Sequence, residues 1–121
     1  MKYKVFFSVY NGSNLDAANH LKVFNKLYRF NPKQVNGSYK GIKESSILVY
    51  ISDKELSSIE KIAREFKQES ILIVDSKRNS FLKYLSTNKV ESIGRMLKTS
   101  KLEALTKDAY SEVNGIYYIV E

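Results

Sequence analysis

The chain has 121 residues, 43% of them hydrophobic, with a formal net charge of +7, no cysteine and one histidine. Such a length is one domain, 1–121, and such a composition supports a real core rather than a disordered tail. Disulfides, thiolate metal sites and thiol catalysis are excluded, and a two-histidine metal site is not available within one chain.

No apolar run reaches the roughly 18 residues of a membrane span. The basic start Met1-Lys-Tyr-Lys is followed by a short apolar run, Val5-Phe-Phe, that stops at Ser8. No signal peptide is expected there, and a cytoplasmic location is. The positive charge invites an anionic partner. However, the basic residues are scattered from Lys2 to Lys107 without a long run, as in chains kept soluble by surface lysines. Nucleic acid is therefore not expected as the principal partner.

Lys2–Tyr10 is rich in β-branched and aromatic residues and reads as a strand. Asn11-Gly-Ser-Asn14 is a turn cluster, with Ser13 or Asn14 as cap for a helix. Leu21, Phe24, Leu27 and Tyr28 fall on one helical face, and Pro32 ends that helix near Phe30. A loop follows over Lys33–Asn36, with Gly37 as a turn former and Gly41 as a second hinge. Ser45–Ile51 is a core strand. Ser52-Asp53 caps a second helix, on which Leu56, Ile59, Ile62, Ala63 and Phe66 share a face and Glu60–Arg64 is a surface pair. Ile71–Val74 is a short central strand. After a polar turn, Asp75–Asn79, Phe81–Leu85 is another strand. Val90–Leu97 has mixed periodicity and Lys101–Lys107 is undecided. Asn114-Gly115 between Tyr110–Val113 and Ile116–Val120 is a strong hairpin signal. Strand, helix, strand, strand, helix, strand is the ferredoxin-like order. The expected fold is thus α+β, an antiparallel sheet with two helices on one face and extra C-terminal strands. Its other face, if apolar, needs oligomerisation to hide it.

Three polar groups can carry chemistry. Tyr39 and Glu44 stand at the mouth of the Ser45–Ile51 strand. A carboxylate there can accept from a ribose diol or balance a cation, and a tyrosine can face a cation or orient a carboxylate. Gln68, Glu69 and Ser70 open the next core strand. Ser8, Asn11, Ser13 and Asn14 offer small polar groups at the first strand-to-helix turn. On residue type alone, each group is more simply a turn, a cap or a solvated surface. No phosphate loop, dinucleotide fingerprint, metal-ligand motif or RNA-binding signature is present, and neither cofactor nor metal is expected.

In this order the residues resemble the small phage S-adenosylmethionine lyases. Ser8-Val-Tyr with Ser13-Asn14-Leu15 looks like the family's first strand and turn. Gly37-Ser-Tyr39 looks like its Gly-x-Tyr turn, with Glu44 as the carboxylate opening the next strand. Ile62-Ala-Arg64, then Gln68-Glu69-Ser-Ile-Leu-Ile-Val, resembles its second helix and core strand. Glu112-Val-Asn-Gly-Ile-Tyr-Tyr-Ile-Val resembles its closing strand. The segment from Tyr39 to Glu44 is shorter than in the phage enzymes.

The resemblance implies a ferredoxin-like homotrimer with sites between subunits and a nucleoside sulfonium as substrate. It implies that the substrate's own carboxylate attacks its γ-carbon, releasing methylthioadenosine and homoserine lactone. Glu44 and Tyr39 would be the catalytic pair, with Ser8, Asn11, Ser13, Asn14, Gln68, Glu69 and Ser70 binding substrate. A second branch of the family degrades SAM-AMP, a messenger of type III CRISPR defence. The surplus charge would suit that extra phosphate, with Lys89, Arg95 and Lys98 as possible contacts. The alternatives are a non-enzymatic trimeric sensor of an adenosine ligand and a basic nucleic-acid-binding inhibitor.

Overall fold

The computed structural model describes residues 2–10, 17–66 and 68–121, with backbone alone for 8–10, 17–20, 39 and 42. The strands are β1 (Lys2–Tyr10), β2 (Lys33–Tyr39), β3 (Ile42–Ser52), β4 (Ser70–Val74), β5 (Asn79–Tyr84), β6 (Val90–Thr99), β7 (Ala109–Val113) and β8 (Ile116–Val120). The helices are α1 (Ala17–Lys26), α2 (Leu56–Glu65) and the short α3 (Lys101–Ala104). All pairings are antiparallel and close into a barrel in the order β1-β3-β2-β7-β8-β6-β5-β4, with β4 returning to β1.

This closure overturns the expected ferredoxin-like sheet. The strands after Val74 do not extend an open sheet; they curl back until β7 pairs with β2, Asn36 opposite Glu112 and Tyr39 opposite Ala109. The physical reason lies on the inner face. Phe6, Leu48 and Val74 would be an exposed apolar surface on an open sheet, and here they form one buried cluster with Val35, Met96 and Val113. Burying each such side chain contributes about 1.5–3 kcal/mol. The chain therefore covers itself where oligomerisation was expected to do so.

Period-2 alternation sends the neighbours of those residues outward. Val5, Phe7, Ile47, Val49, Ile71 and Ile73 form a second cluster with Val23 of α1, Leu27 just after it, and Ile59, Ile62 and Ala63 of α2. The α2 face agrees with the apolar spacing: Ile59, Ile62 and Ala63 are buried, and Leu56 and Phe66 pack against the same cluster. The first helix agrees in part: Leu27 is buried and Phe24 packs against the core, but Leu21 and Tyr28 are 60% and 77% exposed, and Val23 and Phe30 are buried in their place. A 3₁₀ turn over Tyr28–Phe30 rewinds the chain there, so a continuous α period misplaces Tyr28.

Two other expectations change. Glu60 is buried and pairs with Lys83 of β5, while Arg64 donates to Asn88 Oδ1 at 2.7 Å; they do not form a surface pair. In β6, whose periodicity is mixed, the register slips opposite Ser80/Phe81. Gly94 has φ +116°, and a Cβ there would lie 2.5 Å from the Glu121 carbonyl oxygen. An irregular strand of this kind has no clean alternation to read.

Candidate active site

The β2–β3 hairpin positions the site. Tyr39 faces Ile42 in the register, which leaves Lys40 and Gly41 as a two-residue turn with φ +50° and +82°. Both values are positive, the mirror-type turn that matches strand twist. The turn is therefore at Lys40-Gly41 and not at Gly37, and Lys33–Asn36 is strand rather than loop. Glu44 lies within β3, opposite Gly37, and not ahead of it. Gly37 serves close packing: a Cβ there would lie 3.2 Å from the Tyr110 carbonyl oxygen.

Glu44 lines a cavity of about 300 Å³ in one end of the barrel. Ser38, Ser46, Ser70, Ser111, Tyr110 and Tyr118 share its wall, and Phe6, Leu72, Leu82 and Met96 supply apolar surface. Glu44 makes no ion pair among the described residues. Burial raises its carboxyl above the ordinary value of 4.5, because a desolvated carboxylate loses the water that stabilises its charge. A half-buried carboxylate without a cation, among hydroxyls, is ready to receive a cation or a hydroxyl-bearing ligand. Glu44 also borders an outer groove of about 310 Å³ with Asn36, Lys43, Tyr110 and Tyr117.

The structure brings Glu44 and Ser70 into one cavity. Gln68 and Glu69 do not line it. The Gln68 N–H donates to the Ala63 carbonyl at 2.9 Å, and the Glu69 carbonyl accepts from Leu85 N–H at 3.0 Å; Glu69 is exposed. The backbone at Ser8 stands opposite Ser46 in the β1–β3 register. The backbone at Tyr39 stands opposite Ala109, which lines the cavity. Both side chains lie outside the described residues, as do Asn11, Ser13 and Asn14. Ser38, Ser46, Tyr110, Ser111 and Tyr118 were missed as site residues. For Ser46 a signal existed, since it is two residues beyond Glu44 on a strand. For Ser38 one existed too, since it stands between Gly37 and Tyr39 on β2; for Tyr110, Ser111 and Tyr118 it did not, because β7 and β8 reach the site only through barrel closure.

At the opposite mouth, Lys4 lies over the rings of Tyr50 and Tyr118, 5.9 and 5.5 Å from their centroids. Tyr118 and Met96 border both mouths. Among the described residues no helix is long and apolar enough to cross a membrane.

This closed barrel holds, among the described residues, a carboxylate without an ion pair in a partly apolar, partly hydroxyl-bearing cavity with room for a ligand of modest size. The chain belongs to the S-Adenosylmethionine lyase family, whose model matches residues 5–121. The resemblance read from Ser8, Tyr39, Glu44 and the Gln68-Glu69 step is thereby borne out at the level of the family, which is one of enzymes with a small-molecule substrate. A search of curated proteins gave no match.

Proposed function

We propose that the protein cleaves the sulfonium of an S-adenosylmethionine-type substrate by internal lactonisation, and that Glu44 is its central binding group. The observation that carries this reading is the desolvated Glu44 carboxylate, which has no ion pair among the described residues and lies in a cavity lined by hydroxyls. A sulfonium substrate supplies the positive charge, and its ribose the hydroxyls, that such a carboxylate lacks.

The substrate carboxylate attacks the γ-carbon, a C–O bond forms, and the γ-carbon–sulfur bond breaks with its electron pair passing to sulfur. Methylthioadenosine and homoserine lactone leave. The protein provides no nucleophile. It folds the methionine tail into the attacking shape, and such positioning can supply about 7–11 kcal/mol. The reaction also cancels a negative and a positive charge. An apolar wall of Phe6, Leu72, Leu82 and Met96 favours that cancellation relative to water, since opposite charges attract more strongly at low dielectric. Glu44 holds the ribose hydroxyls or the amino-acid end, and Tyr39 orients the methionine part. Ser70 and Ser46 line the pocket beside them.

The substrate is S-adenosylmethionine or its adenylated conjugate SAM-AMP, with the surplus of +7 favouring the conjugate. The working assembly is a homotrimer, in which a neighbour completes the outer groove that reaches Glu44. Purified protein incubated separately with the two compounds, with products followed by mass, tests both substrates. Glu44→Gln is expected to lower turnover at least about 100-fold with an unchanged circular dichroism spectrum. Full activity in that variant would remove Glu44 from the site. Intact substrate with measurable binding would instead mark a sensor.

A further inference from the structure

The barrel mouth opposite Glu44 is a second cavity, of about 230 Å³. Lys2, Lys4, Arg78 and Lys98 all line it. Among the described residues none of the four is in an ion pair. The carboxylate at this mouth, Asp75, is committed to its own turn: Oδ1 accepts from Lys77 N–H at 2.8 Å and Asn79 N–H at 2.9 Å, and Oδ2 from Asn79 Nδ2 at 3.2 Å. Four like charges around one concavity repel one another, and the arrangement is relieved by an anion.

The placement is also built. Lys4 pairs with Val74 and Tyr50 across β1, β4 and β3, which puts it on the inner face at the rim. Its amine is held below the ordinary lysine value, first by burial and then by Lys98 and Arg78. Arg78 has φ +71°, a backbone region that favours glycine and is costly for arginine. Its N–H donates to the Asp75 carbonyl at 3.0 Å and its carbonyl accepts from Met96 N–H at 2.8 Å. Both contacts are made by the backbone, so they do not call for an arginine side chain. The backbone there would suit glycine, so the arginine side chain is free of any role in the turn and its guanidinium is available to a ligand.

We infer that this mouth binds a phosphate group, free or carried by a small phosphorylated molecule, between Lys2, Lys4, Arg78 and Lys98. Arginine supplies paired donors to two phosphate oxygens, and the lysines supply point charge. The faces of Tyr50 and Tyr118 are already engaged by Lys4, so the site is built for the oxyanion more than for a stacked ring. This goes beyond the lyase reading, because it concerns the other end of the barrel and does not depend on Glu44.

The test is calorimetric titration of the full chain at low ionic strength with inorganic phosphate and with ribose 5-phosphate. Saturable binding at one site per chain is expected. Arg78→Gly, which suits the backbone at that position, and Lys98→Gln should each weaken it about tenfold. Lys61→Gln, the same charge loss on the exposed face of α2, should leave it unchanged, and so should Glu44→Gln. Tighter binding of ribose 5-phosphate than of phosphate would support a phosphorylated ligand; equal binding would support bare phosphate. Absence of binding by the wild type would overturn the inference. So would an equal loss in Lys61→Gln and Arg78→Gly.

Discussion

Glu44 concentrates the physics of the site at a single residue. Its folded carboxyl is raised by burial, so the folded state holds that proton more tightly than the unfolded chain does. The resulting stability is fully present below the unfolded value and is lost as pH rises through the raised folded value. Glu44→Gln removes this loss. Without ligand, the variant should melt at a higher temperature than wild type at neutral pH, with the gap closing toward acid. A variant less stable than wild type at neutral pH would mean that Glu44 has a structural partner. Glu44 and Ser70 were legible as candidates because polar residues at the head of apolar strands stand out. Gln68 and Glu69 looked equivalent to Ser70 in sequence. Only Ser70 lines the cavity, because β4 begins there, opposite Tyr84 of β5, and Gln68 and Glu69 precede the strand.

At the scale of elements, local signals were read well wherever a single turn or helix face dictates the outcome. Asn114-Gly115 forms the expected β7–β8 turn, with φ +51° and +81°, and α2 buries the face its apolar spacing marks. The signals failed where geometry is shared between elements. The β2 strand carries Asn36, Gly37 and Ser38, poor strand formers on their own, and is held by β3 on one side and β7 on the other. Glu60 resembled half of a helix-surface pair until β5 brought Lys83 against it. Removing one partner of a mostly buried pair leaves an uncompensated charge, so Lys83→Ala should cost about 3 kcal/mol in urea unfolding. A change within the ±0.5 kcal/mol of ordinary surface substitutions would show that the pair is solvated. Gly94→Ala should also be destabilising, by about 1–3 kcal/mol from backbone strain, with further cost from the Glu121 carbonyl.

For the whole molecule, closure is what the sequence conceals. A hairpin signal says that β7 and β8 pair with each other, but not that β7 also returns to β2 or β8 to β6. The long-range pairings place Tyr110, Ser111 and Tyr118 beside Glu44 and Ser70, and they divide the interior into a carboxylate mouth and a cationic mouth. They also remove the argument that an apolar sheet face demands oligomerisation. The proposed trimer then rests on the groove bordering Glu44, and light-scattering mass at micromolar concentration tests it: three chains are expected, and a monomer with full activity would place the whole site within one barrel.

The central claim is internal attack within a bound sulfonium. Its most direct test is turnover of the preferred substrate in ¹⁸O-labelled water, with mass analysis of the earliest products. Methylthioadenosine or its adenylated form should appear with unlabelled homoserine lactone, because both lactone oxygens come from the substrate carboxylate. Homoserine labelled at its γ-oxygen would contradict the claim, since water would then be the nucleophile.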